Sequence, residues 1–145
     1  MVKGNRQARA ELEGLREMNA RIDALIMEKE KLAARVTSLA RPLSEPVSGT
    51  RRSDIANAAA KLADMDAEID RTIDEYSGRK KRILIRINAI TDIRYRTLLF
   101  LYYANTVPLR LHEVARIMHY QYSTIKDMHV CALDAYQQKY FGGHV

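Results

Sequence analysis

The sequence predicts an all-α protein, in which a long antiparallel coiled-coil helical hairpin over residues 1–90 precedes a small three-helix domain over residues 91–145. Two long segments carry apolar residues in alternating steps of three and four, which is the spacing of coiled-coil helices. A stretch rich in proline and small polar residues separates these segments. Nowhere does the chain alternate apolar and polar residues as a half-buried β-strand does.

The first long segment runs from about Arg6 to Ala40 and has a heptad seam that a single lysine interrupts. The seam consists of Leu15, Met18, Ile22, Leu25, Lys29, Leu32, Val36 and Leu39. Pro42 is expected to end this helix, because proline forces the preceding residue out of the helical region and lacks an N–H donor. We assign residues 41–52 to a linker.

The second long segment is expected to begin after Ser53, which is a plausible N-cap. Its seam consists of Ile55, Ala58, Leu62, Met65, Ile69, Ile73, Tyr76, Ile83, Ile87 and Ile90. Gly78 lies inside this pattern and predicts a weak point or bend. The linker is long enough to reverse the chain, which favours an antiparallel hairpin. The narrow stripe can also pair with a second copy, so a homo-oligomer through the coiled coil is an open alternative.

Charge is unevenly distributed along the chain, whose formal net charge is +6. An acidic stretch from Asp54 to Glu75 is followed by the basic run Arg79-Lys80-Lys81-Arg82 and Arg86. The excess of basic residues favours a polyanionic partner, and the run is a candidate for phosphate contacts, although a solvated helix face explains it equally well.

Targeting and membrane signals are not evident in the sequence. No segment approaches the roughly 18 to 20 apolar residues of a membrane span, and the N-terminus lacks the pattern of a secretory signal. The single cysteine, Cys131, has no internal disulfide partner and suits a reducing compartment. We expect a cytoplasmic protein without a membrane partner.

Residues 91–145 predict three short helices and a frayed tail after Tyr140. Thr91-Asp92 offers a capping signal for the first helix, the second reaches Met118, and residues 119–121 form a tight turn into the third. A helix-turn-helix unit needs a small residue where its helices cross, and Ala115 meets that need. Inward positions are then expected at Val114, Met118, Ile125, Met128, Leu133 and Tyr136.

The outer face of the third helix can then contact double-stranded DNA, because its side chains donate, accept or offer methyl contacts to base edges. The candidate DNA-binding residues are Gln121, Tyr122, Ser123, Thr124, Lys126, Asp127 and Val130, together with Arg110 and Arg116 from the second helix. Residues 109–145 hold only four basic groups against three acidic ones, so this segment needs basic residues from elsewhere for phosphate contacts. A bundle without a ligand, or a structural coiled-coil scaffold protein, is the alternative.

An enzyme is not indicated. His129 and Cys131 are two residues apart on a helix and point in different directions, and His112 and His119 lack the spacing that places two histidines on one metal. The sequence also lacks a glycine-rich phosphate loop. We therefore expect neither a cofactor nor a bound metal, and His129 is interpreted as a packing residue.

Three stretches resemble phage-encoded late-transcription regulators of the ArpU and RinA kind. They are residues 90–99 (ITDIRYRTLL), residues 113–115 (EVA) with 118–120 (MHY), and residues 129–133 (HVCAL). Such proteins are similar to region 4 of a sigma factor at their C-terminal end. The resemblance implies a positive regulator of phage late genes that acts at a promoter in a bacterial host and contacts RNA polymerase. This sequence departs from the pattern of those regulators at Ser123, Asp127 and Cys131, where relatives often carry arginines.

Overall fold

The computed structural model describes residues 4–39 and 49–142, and α-helices and π-helical turns account for nearly all of them. The helices are α1 (Arg6–Leu39), α2 (Gly49–Asn88), α3 (Ile93–Leu99), α4 (Leu111–Met118) and α5 (Tyr122–Gln137). A π-helical turn extends α3 over Phe100–Ala104, and another extends α5 over Gln138–Gly142. These two ranges contain no β-strand, which confirms the all-α prediction.

The predicted seam of α1 is buried or half-buried along its whole length. Leu15 and Ile22 are buried, and the lysine that interrupts the pattern, Lys29, is half-buried. The seam also begins earlier than expected, because Ala8 and Leu12 are completely buried and continue the same spacing toward the N-terminus.

Two expectations for α2 are wrong. The helix begins at Gly49, so Ser53 lies within it and is not the N-cap. The linker predicted at residues 41–52 is correspondingly too long. Pro46 is the last proline before α2, and no residue after it prevents an additional helical turn. Residues 40–48 lie outside the described part of the chain. Gly78 lies within the continuous helix α2, and the most exposed residue of the predicted seam is Ile73, at 38%.

One compact unit, here called the helix-pair unit, comprises described residues 20–39 of α1 and 49–75 of α2. Arg21 Nη2 lies 2.9 Å from a carboxylate oxygen of Glu68, and Lys29 forms an ion pair with Asp66. From the first pair to the second, the residue number on α1 rises from 21 to 29 while that on α2 falls from 68 to 66, which is the order of antiparallel helices. Only Ile22 and Ile69 are buried among its apolar residues, since two helices alone cover only one stripe of each other.

The second compact unit, here called the core unit, comprises described residues 4–19 and 76–142. The first turns of α1 and the last turns of α2 bury their apolar faces against α3, α4 and α5. This division therefore differs from the domain boundary expected at residue 90. The fully buried side chains all belong to this unit. The largest of them are Leu12, Leu15, Ile87, Leu98, Leu99, Val114, Ile125, Leu133 and Tyr136.

None of the helices in the described ranges combines the length and the apolar character that a membrane crossing requires.

Candidate nucleic-acid interface

The helix α4 begins at a defined cap on the surface of the core unit. Arg110 is the extended N-cap residue, and its backbone N–H donates to the Glu113 carboxylate at 2.9 Å. An acidic residue in the first turn satisfies a backbone donor that has no partner inside the helix and also favours the positive end of the helix dipole. Arg110 therefore points into solvent from a fixed helix start, as an exposed basic residue.

The turn between α4 and α5 is closed by two backbone hydrogen bonds. The N–H of Tyr120 donates to the carbonyl oxygen of Ala115 at 2.9 Å, and that of His119 donates to Arg116 at 3.2 Å. His119 adopts the left-handed conformation, with φ 63° and ψ 40°. This is the Schellman arrangement that usually places glycine at the left-handed position. The expected tight turn over residues 119–121 is confirmed, and α5 begins at Tyr122.

The first two turns of α5 have two chemically different faces. Ile125, Met128 and His129 are buried, whereas every candidate residue on the opposite side is exposed. Ala115 is 3% exposed and Val114 is completely buried, so the inward positions expected on α4 are also confirmed. The buried set fixes the orientation of α5, which leaves its outer face available to a ligand.

All nine candidate DNA-binding residues are exposed. Within the described part of the chain, no hydrogen bond or ion pair engages the side chains of Gln121, Ser123, Thr124 or Asp127. Lys126 Nζ lies 5.5 Å from the centre of the Tyr122 ring, and the centre of the His112 ring lies 6.4 Å from the centre of the same ring. The start of α5 thus presents polar groups whose hydrogen-bonding capacity is unused.

The remaining histidine and cysteine residues do not gather at this surface. His129 Nε2 lies 2.6 Å from the Tyr103 hydroxyl inside the core, where burial lowers the pKa of His129 to about 4. Cys131 is exposed on the next turn of α5. No group of three potential metal ligands occurs in the ranges that the structure describes.

The basic residues of the chain are concentrated in the core unit. Its described residues include 14 Lys and Arg against seven Asp and Glu, whereas those of the helix-pair unit include eight against ten. The formal charges are therefore +7 and −2. The segment 109–145 is nearly neutral alone, but folding adds to it the basic residues at the start of α1 and the end of α2. This difference matters because phosphate contacts supply most of the nonspecific affinity of DNA-binding proteins.

A polar cluster that sequence reasoning missed holds the C-terminal end of α5 in place. Arg86 Nη1 lies 2.9 Å from both carboxylate oxygens of Glu11, and the Tyr136 hydroxyl donates to the same carboxylate. The Arg86 guanidinium also lies 5.0 Å from the Tyr140 ring and 5.8 Å from the Phe141 ring. Residues 141–142 are consequently packed, which corrects the expectation of fraying there, and residues 143–145 lie outside the described range.

Comparisons with known proteins give no relative: no protein-family model, curated protein or solved structure matches this chain.

Proposed function

We propose that the protein is a phage-type transcriptional regulator that binds promoter DNA through α4 and α5. The start of α5 enters the major groove, where Gln121, Thr124 and Lys126 contact base edges or phosphates. Glutamine pairs with adenine, lysine with guanine, and threonine with several bases, so these residue types suit direct readout. The observation that carries the proposal is the exposed polar face at the start of α5, opposite the buried face of Ile125, Met128 and His129.

Charge supports the same function. The core unit carries a formal charge of +7, which supplies the electrostatic attraction that residues 109–145 lack by themselves. The proposed function also includes activation of late genes and contact with RNA polymerase, both in the cytoplasm of a bacterial host. Their support is the sequence resemblance of residues 90–133 to phage late-transcription regulators.

A selection from random double-stranded DNA tests this function. The purified protein is incubated with a pool of random duplexes, bound DNA is recovered over several rounds, and the affinity for the enriched sequence is compared with that for unselected DNA. Specific DNA-binding proteins prefer their sites by roughly 10³-fold or more at physiological salt, and we expect a ratio of that order. A ratio below about tenfold would contradict a promoter-specific regulator and favour a structural coiled-coil protein.

A further inference from the structure

A groove lies along the seam between α1 and α2 in the helix-pair unit. It has a volume of about 380 Å³, and its walls combine apolar seam residues with charged residues from both helices. Leu25, Leu32 and Met65 form the apolar part, and all three are only half-buried. Each helix covers one stripe of the other, so the groove leaves part of the apolar seam in contact with water.

The charged residues of the groove are separated along its length. Lys29 forms an ion pair with Asp66, so these two residues lie at the same level of the antiparallel helices. Arg35 is six residues beyond Lys29 and Lys61 is five residues before Asp66, which places both bases about 8–9 Å along the helices from that level. Glu28 precedes Lys29 and lies in the opposite direction. The groove therefore has a basic end with Arg35 and Lys61 and an acidic end with Glu28.

These charges are available to a partner. Glu28, Arg35 and Lys61 are exposed, and within the described part of the chain no hydrogen bond or ion pair engages their side chains. Glu68 also lines the acidic end, but its charge is already compensated by Arg21, whose Nη2 lies 2.9 Å from the carboxylate.

The charge order along α1 is complementary to itself when two copies face each other in opposite directions. Glu28 and Arg35 are seven residues apart, which places them two turns apart on the same side of the helix. A two-fold axis that crosses α1 between Lys31 and Leu32 sets Glu28 of each copy against Arg35 of the other. A parallel arrangement would instead set each of these residues against its own equivalent, so charge favours the antiparallel order. Lys31 lies next to this axis, and its long stem lets the ammonium group extend into water.

The face that carries the groove has the size of a small interface. Residues 20–39 of α1 span about 30 Å at ~1.5 Å per residue, and two adjacent helices are about 20 Å wide. The face therefore covers about 600 Å² per copy, slightly below the ~800 Å² per partner of stable complexes. We expect a weak dimer with a Kd on the order of 10⁻⁵ M, so in dilute solution the seam is covered from one side only.

We propose that this groove is the contact surface for a second copy of the chain, which packs against it in the opposite direction to form a four-helix bundle. Two ion pairs between Glu28 of one copy and Arg35 of the other fix the orientation. A four-helix bundle encloses the apolar stripes that an isolated helix pair leaves half-exposed. This dimer does not depend on DNA binding, because none of the residues that line the groove belongs to α4 or α5.

Exchange of the charges on α1 tests the dimer and its orientation together. The full-length protein is compared with Glu28→Arg, with Arg35→Glu and with the double variant, by sedimentation equilibrium between about 5 and 500 μM protein at about 0.1 M salt. For the wild type we expect the mass to rise with concentration from the 16.6 kDa of one chain toward twice that value. Each single variant sets like charges together at both symmetry-related positions, which should weaken the dimer about tenfold. The double variant restores opposite charges and should regain the wild-type Kd.

The matched control is Glu30→Arg, which makes the same change in charge at an exposed residue of α1 outside the groove. It should keep the wild-type Kd, and circular dichroism checks that all variants remain helical. A wild type that stays a single chain over the whole concentration range would overturn the proposal. So would a dimer that Glu28→Arg leaves unchanged, or one that Glu30→Arg weakens equally. A double variant no tighter than the single variants would contradict the antiparallel order.

Discussion

The core unit and the helix-pair unit bury their apolar residues to very different extents, although the same two long helices contribute to both. In the core unit, α3, α4 and α5 close over the ends of α1 and α2, and side chains such as Leu12 and Leu133 are completely buried. In the helix-pair unit the seam is covered from one side only, and residues such as Leu32 and Met65 remain half-exposed. A heptad pattern therefore specifies which residues face a neighbouring helix, whereas the number of neighbouring helices determines how much each buried side chain stabilises the fold.

The two units also differ in formal charge. The described residues of the core unit carry a formal charge of +7 and those of the helix-pair unit −2, which makes the core unit the more favourable of the two for a polyanion. The exposed ion pairs Arg21–Glu68 and Lys29–Asp66 connect α1 to α2 in the helix-pair unit. Exposed pairs of this kind contribute roughly 0–1 kcal/mol each, which is too little to compensate for a thin apolar seam.

The largest expected difference between the units comes from truncating one leucine in each. Leu133→Ala should lower the free energy of unfolding by about 2–5 kcal/mol, because a completely buried leucine leaves a cavity. The matched change Leu32→Ala should cost about 1 kcal/mol, since its side chain is already half-exposed. Urea denaturation measures both. Comparable losses would show that the seam is covered by a further partner, and a concentration-dependent midpoint would identify a second copy of the chain.

Acidification should destabilise the core unit through His129. Burial lowers its pKa to about 4, from an ordinary value near 6.5 in the unfolded chain, so the folded protein favours the neutral ring. The unfolded state therefore binds the additional proton below pH 6.5, and stability falls as the pH decreases from 6.5 toward 4, by up to about 3 kcal/mol. Above pH 6.5 this contribution is fully present.

The variant His129→Gln isolates this effect, because glutamine does not titrate. Its free energy of unfolding should change less between pH 7.5 and pH 4.5 than that of the wild type. The exposed His112→Gln is the matched control and should retain the wild-type pH dependence. Identical profiles for wild type and His129→Gln would contradict the assignment of His129 to the core.

A smaller and stabilising effect is expected in the turn between α4 and α5. His119 is a non-glycine residue with a left-handed backbone, and that conformation costs a side-chain-bearing residue about 1–2 kcal/mol. Glycine also raises the conformational entropy of the unfolded chain, which offsets part of the stability gained in the folded state. His119→Gly should therefore raise the free energy of unfolding by up to about 1 kcal/mol, as measured by thermal denaturation. A loss of stability would show that the His119 side chain itself supports the turn.

The local features of the fold could be predicted from the sequence because their causes are local. Thr91-Asp92 was expected to supply the cap of α3, and the Asp92 carboxylate accepts from the Arg94 N–H at 2.9 Å. Ala115 was expected at a helix crossing and is buried. The exposed face of α5 likewise follows from helical periodicity alone.

The division into units could not be predicted, because it depends on residues far apart in the chain. Glu11 and Tyr136 are separated by 125 positions, and Gln137 accepts from the Ala8 N–H at 2.8 Å over a similar distance. No periodic signal in either segment identifies its partner. The earlier spacing of Ala8, Leu12 and Leu15 was the one available clue that the start of α1 is buried.

The sequence specificity of the double variant Gln121→Ala with Thr124→Ala tests whether the start of α5 reads base sequence. Both side chains are uncharged and exposed, so their loss leaves the electrostatic attraction unchanged. The matched control is Thr106→Ala with Gln138→Ala, which removes two exposed, uncharged side chains away from the start of α5. Affinity for the selected sequence and for random DNA is measured at one salt concentration.

A lost bidentate base contact costs about 1–3 kcal/mol, and 1.4 kcal/mol corresponds to tenfold. We expect the variant Gln121→Ala with Thr124→Ala to bind the selected sequence at least tenfold more weakly, with unchanged affinity for random DNA, while the control retains both affinities. A variant that keeps the full preference for the selected sequence would show that α5 is not the helix that reads the bases.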